Sequence, residues 1–181
     1  MFDVRYLTFA NRTVVSLYCN VRPRPPNRTG DPDQTHSMTR LDFFRSQIGQ
    51  DASQSPSGLG QWLNGVMRVA EADHLVADYL IRPDMTNPMN VMHGGTAAAI
   101  MDDIAGMLVF ALGREFGYTS VNLSVDFLNP ARAGDVITAT ARIVRAGKNI
   151  VHVEVSITAA DGKLIAKSAT NLVQTSVRLP F

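Results

Sequence analysis

With 181 residues, the chain is long enough for one domain with a substantial core, and its length gives no reason to expect two. The formal net charge of +1 is unevenly spread: residues 1–40 hold six Arg and three Asp, whereas residues 41–181 hold eleven Lys and Arg against thirteen Asp and Glu. The larger segment is therefore slightly acidic, which argues against a nucleic-acid interface. The single cysteine, Cys19, excludes an intrachain disulfide and a cysteine cluster for zinc, and agrees with a reducing, cytoplasmic compartment.

Residues 1–38 differ in kind from the rest. The run Arg22-Pro23-Arg24-Pro25-Pro26, followed by Asn27, Gly30 and Pro32, cannot continue a helix or strand and buries little, so this Arg/Pro-rich extension is expected to be disordered or outside the fold. Before it, residues 14–18 read as one short strand, without the charge, apolar and cleavage pattern of a secretory signal. Met38 opens a stretch with helical spacing over residues 39–49. Residues 39–181 are therefore expected to form the domain proper, and Met38 is itself a candidate start.

Next, residues 65–71 and 75–82 read as two extended runs joined by a hairpin at Ala72-Asp73-His74. Pro83 and Pro88 bound an irregular loop. Residues 96–114 lack proline and are apolar nearly all round, as expected of a buried central helix. The apolar run over residues 104–112 follows two Asp and is too short to cross a bilayer. Four strands follow. In the first, Val121, Leu123, Val125 and Phe127 alternate with Asn122, Ser124 and Asp126. Residues 136–144 form the second. The third, residues 150–158, puts Val151, Val153, Val155 and Ile157 on one face. Asp161-Gly162 turns the chain into the fourth, residues 163–175. Two strands, a long buried helix and a four-stranded antiparallel meander predict an α+β architecture in which a sheet wraps one helix.

The chemistry concentrates where the loop enters the helix, in Asn87-Pro88-Met89-Asn90-Val91-Met92-His93-Gly94-Gly95-Thr96, with Asp102 and Asp103 further along. Helix N-termini attract negative charge through unpaired N–H groups, and glycine permits close approach to the backbone. Gly94 and Gly95 are thus candidate oxyanion donors, or simply the turn into the helix. A carboxylate among Ile100, Met101, Ile104, Met107 and Leu108 costs several kcal/mol, to order of magnitude, unless paired or hydrogen-bonded. Asp102 and Asp103 point about 100° apart and so should not share one role. Asp102, flanked by Ala98, Ala105 and Gly106, has room for a substrate or a partner chain.

These residues, spaced as Asn, six residues, His-Gly-Gly, then Asp nine residues after the His, resemble the hotdog-fold acyl-CoA thioesterases of the phenylacetate-pathway (PaaI-type) branch. Asn87, His93, Gly94, Gly95 and Asp102 match that family's pattern, and the likeness continues through residues 120–131 to cover roughly residues 40–175. The resemblance implies a hotdog fold and hydrolysis of an acyl-CoA to an acid and free CoA, with no cofactor and no metal. It also implies Asp102 as general base or nucleophile, Gly94 polarising the carbonyl, Asn87 bonding the carbonyl or the attacking water, His93 orienting the loop or touching substrate, and Ser120 positioning the water or the carboxylate. It further implies a homodimer with shared active sites. Asp102 lies seven residues beyond Gly95, about 10 Å along a helix axis, so a second protomer's helix is needed to bring both groups to one carbonyl. A dimer of dimers is the larger alternative.

For the CoA phosphates, Arg145, Gly147 and Lys148 offer two cations around a hairpin glycine. Met89, Met92, Phe110 and Phe127 would suit an aromatic or an aliphatic acyl tail. No nucleic acid and no membrane are expected among the partners. Two rivals stand: a hotdog hydratase or dehydratase on acyl thioesters, which would need a differently spaced carboxylate and a catalytic His, and a non-catalytic acyl-CoA-binding module, against which Asp102 counts. Because the extension lacks the apolar periodicity to join a core, a chain beginning at Met38 is expected to keep its activity and to melt within a few degrees of the full chain. Differential scanning calorimetry of the two chains checks this.

Overall fold

The computed structural model describes residues 6–9, 12–15 and 38–179, and the chain divides into two units, Met1–His36 and Ser37–Phe181. In the first, β1 (Tyr6–Phe9) and β2 (Arg12–Val15) pair antiparallel, Tyr6 opposite Val15 and Phe9 opposite Arg12. Val14 and Val15 thus lie in a strand, while residues 16–18 and the proline-rich run expected to be disordered lie outside the described residues.

The second unit opens with α1 (Arg40–Ser46), started by a capping box: Thr39 Oγ1 accepts from the Asp42 N–H at 3.1 Å, and the Asp42 carboxylate accepts from the Thr39 N–H at 3.2 Å. A further helix, α2 (Gly58–Leu63), is capped by Ser57 and ends at Asn64 in the left-handed region. Its two glycines in six residues conceal it from any periodicity argument. The strands β3 (Val66–Ala70) and β4 (His74–Leu80) form the expected hairpin. Then come α3 (Gly94–Ala111), β5 (Phe116–Phe127), β6 (Val136–Ala146), β7 (Ile150–Ala159) and β8 (Leu164–Arg178).

The six strands make one antiparallel sheet in the order β3-β4-β6-β7-β8-β5. This corrects the expected four-stranded meander: β6, β7 and β8 are one, but β5 pairs with β8 at the far edge, and β6 pairs with β4. The helix between β4 and β5 carries the chain across the sheet, so the strands flanking it cannot be neighbours.

The helix explains the wrapping. Ile100, Met101, Ile104, Ala105 and Leu108 are fully buried, and so are inward residues of β4, β6 and β7, among them Leu75, Ile137, Val151, Val153 and Ile157. Each large apolar side chain so buried contributes about 1.5–3 kcal/mol. By length and composition alone, Gly94–Ala111 could cross a membrane. Here the sheet plays the part that lipid would.

Asp103 is the exception in this core. It is half-buried on α3, and burial, with the neighbouring Asp102 carboxylate second, raises its pKa above the ordinary carboxylate value. Tyr79 on β4, fully buried, has its hydroxyl pKa raised by burial and then by Asp103. A carboxylate whose folded pKa exceeds its unfolded one disfavours folding once ionised: its contribution is best below the unfolded value near pH 4 and is lost as pH rises through the folded value. Asp103→Asn is therefore expected to raise the melting temperature by a few degrees at neutral pH, with the gain fading below about pH 4. Thermal melts of both chains across that range check it.

Candidate active site

The turn before α3 is held from several sides. The Met85 carbonyl, buried at the end of a 3-10 turn over Pro83–Met85, accepts both the His93 N–H at 2.9 Å and the Thr96 hydroxyl at 3.1 Å. The Met92 N–H donates to the Ala131 carbonyl at 2.7 Å. Asn87 organises the preceding loop: its Oδ1 accepts from the Met89 N–H at 2.9 Å, and its own N–H donates to Val91 O. The side-chain amide Nδ2 of Asn87 is the part of it left to meet a ligand.

His93 is the N-cap of α3. Its Nδ1 accepts the Gly95 N–H at 2.8 Å, which places the proton of a neutral ring on Nε2. This narrows the expectation that both glycines donate to an oxyanion, because the Gly95 N–H already has its acceptor within the turn. Gly94 remains. Its N–H belongs to the first helical turn, where no intrahelical acceptor exists, and it sits on the positive end of an 18-residue helix. A Cβ at position 94 would lie 3.2 Å from Cζ of Phe127, whose ring covers the turn while remaining 60% exposed. Phe127, foreseen only as a wall for the acyl tail, thus also packs closely over position 94.

Asp102 lies mid-helix, half-buried, and its Oδ1 accepts the Ser120 hydroxyl at 2.6 Å. A strict alternation carried on from residues 121–127 would put Ser120 with Asn122 and Ser124 on the face away from the helix, whereas the resemblance places it with the carboxylate. The structure turns it inward. Val121 is an extra residue in β5, since Ser120 pairs with Leu172 and Asn122 with the very next residue, Asn171. A bulge of this kind resets the side-chain alternation. Partners in an antiparallel pair share a face, and Leu172 is buried, so Ser120 faces α3. The bulge is pinned by Thr170, whose hydroxyl donates to Asn122 O at 2.7 Å, and by the Asn171 side-chain amide, which donates to Asn122 Oδ1 at 2.9 Å.

Other predicted residues lie apart. Arg145, Gly147 and Lys148 belong to the β6–β7 hairpin, which is braced by the guanidinium of Arg114, donating to the carbonyls of Ala146, Gly147 and Lys148, and by the Tyr118 hydroxyl, donating to Lys148 O. Arg114 follows the C-terminus of α3, so within one chain the hairpin sits at the opposite end of the helix from Gly94, roughly 25 Å away by helical rise. Arg145 and Lys148 are exposed, and Gly147 is required because a Cβ there would lie 2.8 Å from Ile150 O. The bracing role of Arg114 and Tyr118 carried no signal in the sequence, since the hairpin is more than thirty residues downstream of Arg114. Among the described residues, no group of three His, Cys, Asp or Glu side chains is placed to hold a metal ion.

Residues 89–166, from the turn through most of the sheet, match the family model described as the thioesterase superfamily. Acyl-coenzyme A thioesterase 13 of Mus musculus is 30% identical over 112 residues, which cover 61% of this chain and 80% of that relative. Among solved structures, thioesterase superfamily member 2 of Mus musculus aligns with TM-score 0.56 and 26% identity over 61% of this chain and 80% of that one. The PaaI protein of Escherichia coli, from the phenylacetic acid degradation operon, aligns with TM-score 0.66 over 78% of this chain and 99% of its own, and at 19% identity it shares the fold. The helix wrapped by an antiparallel sheet, the glycine turn at its N-terminus and the carboxylate in its middle make this chain a member of the thioesterase superfamily with the hotdog fold.

Proposed function

We propose that this chain is an acyl-CoA thioesterase in which Asp102 is the general base. The observation that carries the reading is the 2.6 Å hydrogen bond from Ser120 to Asp102 Oδ1. It holds the carboxylate in one rotamer and leaves Oδ2 to receive a proton from water. The water oxygen adds to the thioester carbonyl carbon while its proton passes to Asp102. The resulting oxyanion is met by the Gly94 N–H and the helix dipole behind it, and Asn87 Nδ2 orients the carbonyl or the water. Collapse of the tetrahedral intermediate breaks the C–S bond, and the proton held by Asp102 goes to the departing CoA sulfur. His93 acts by fixing the turn through its bond to Gly95.

The site requires two protomers. Gly94 and Asp102 are eight residues apart on one helix, about 12 Å along its axis, whereas one carbonyl needs its donor at roughly 3 Å. A second copy whose helix runs antiparallel across a twofold axis supplies the missing partner. The edge strand β5 supports this arrangement, for it is twelve residues long and carries exposed Val121 and Phe127 on an edge open to another strand. The same antiparallel placement would carry one protomer's Arg145 and Lys148 toward the glycine turn of the other, where CoA phosphates would lie. The single cysteine is the ground for placing the enzyme in a reducing cytoplasm.

Asp102→Asn is expected to fold and bind acyl-CoA while losing about 10²-fold or more in turnover, and Asp103→Asn to retain far more activity. Free-thiol release measured side by side checks both, and equal turnover of Asp102→Asn and wild type would remove Asp102 from the mechanism. Sharing of the site is checked by complementation. A folded Asp102→Asn chain mixed with a folded Gly94→Pro chain under subunit exchange should regain up to about half of wild-type activity per heterodimer, since one of the two symmetric sites then carries both defects and the other neither. Inactive heterodimers would confine the site to a single chain.

A further inference from the structure

Resting on the thioesterase reading, we infer that Thr170 is a positioning residue for the reaction: reaching from β8, it fixes the bulge in β5 and so keeps the Ser120 hydroxyl on the proposed base. Thr170 is fully buried, opposite Val153 on β7 and Leu123 on β5. The inward positions of neighbouring β7 are Val151, Val153, Val155 and Ile157, all apolar, and valine would give nearly the shape of threonine without the hydroxyl. A hydroxyl at such a place needs a reason, because burying one without a partner is unfavourable. Its partner is the main chain of β5: Thr170 Oγ1 donates to Asn122 O at 2.7 Å.

Asn122 directly follows Val121, the extra residue of the bulge, and Ser120 directly precedes it. Among the described strands, β5 pairs with β8 alone, so that pairing sets its register. Sliding the bulge by one residue would carry Ser120 to the opposite face of the sheet, away from Asp102. Asn122 is gripped from both faces. Thr170 holds its carbonyl from the side of α3. On the outer face the Asn171 amide donates to Asn122 Oδ1 at 2.9 Å, and His152 Nδ1 donates to Asn171 Oδ1 at 2.8 Å, since an amide oxygen can only accept. These bonds converge on the residue whose placement decides where the bulge sits. A second irregularity of the same strand pair, between Phe116 and Tyr118, is held in a similar way: Thr175 Oγ1 donates to Gly117 O at 3.0 Å. That bond lies on the far side of Ser120 from Asn122, which makes it a matched comparison, the same hydroxyl-to-carbonyl pin at a place where it does not set the bulge.

The experiment measures free-thiol release from acetyl-, hexanoyl-, phenylacetyl- and palmitoyl-CoA by wild type, Thr170→Val, Thr170→Ser, Thr175→Val, Ser120→Ala and the double variant Ser120→Ala/Thr170→Val, with melting temperatures and a crystal structure of Thr170→Val. On the best of these esters Thr170→Val is expected to lose about 10-fold in kcat with KM within about twofold of wild type, and its crystal structure to show Ser120 withdrawn from Asp102. Thr170→Ser keeps the hydroxyl and should recover most of the loss. Once Ser120 is alanine, Thr170→Val should cost less than about twofold more, because both act through one bond. Thr175→Val should lower the melting temperature and keep kcat near wild type. If Thr170→Val does not fold, Asn171→Ala, which cuts the outer-face bond, carries the same kcat and double-variant test. Losses in Ser120→Ala and Thr170→Val that multiply, an equal loss of kcat in Thr175→Val, or Ser120 still bonded to Asp102 in Thr170→Val overturn the inference and leave the thioesterase reading intact. A folded wild type that releases thiol from none of the four esters overturns that reading, and the positioning role with it.

Discussion

An eighteen-residue helix with nine residues buried along one side needs a broad apolar surface to cover them, and that constraint organises this domain. Its burial requires a sheet broad enough to curve around it, and six antiparallel strands provide one. The chain must then cross from one side of the helix to the other between β4 and β5, which puts β5 at an edge. The position of β5 has two consequences: it lays Ser120 alongside Asp102, and it leaves a long edge strand with Val121 and Phe127 exposed. Core and site are thus not separable, because the strand that completes the wrapping also supplies the hydroxyl that holds the Asp102 carboxylate.

The two adjacent carboxylates show how one helix assigns different fates to the same chemistry. A step of 100° turns Asp102 toward β5 and a hydroxyl donor, and Asp103 toward Tyr79 and the apolar interior. The first accepts the Ser120 hydroxyl, and the second meets desolvation with a neighbouring negative charge added. Tolerating Asp103 at that position reduces stability, and removing it would leave Asp102 as the sole carboxylate on that stretch of helix.

The His-Gly-Gly turn divides its work among three residues. His93 caps the helix and occupies the Gly95 N–H, while the Gly94 N–H in the first turn has no intrahelical acceptor. A Cβ at position 95 would lie 2.9 Å from His93 Nδ1, and one at position 94 would press on the Phe127 ring at 3.2 Å. The Gly94 N–H thus lies on the positive end of the helix dipole, beside the Phe127 ring.

Much of this was legible in the residues themselves. The all-round apolar helix, the period-two strands and the Asp161-Gly162 turn follow from local rules, and the inward faces of β6 and β7 are buried as their alternation required. The spacing of Asn87, His93, Gly94 and Asp102 carried the family resemblance, and the structure keeps them on one contiguous segment of loop, cap and helix. The strand order, the inward turn of Ser120, the Arg114 brace beneath the β6–β7 hairpin and the ring over Gly94 were decided by the tertiary structure. Each depends on residues far apart in the chain, and a single bulged residue, Val121, reverses the face that strand periodicity assigns to Ser120. Alternation is a local property that reports which side chains share a face only while the register holds. Where the register slips is settled by pairing with β8, through the bonds that Thr170 and Asn171 make to Asn122.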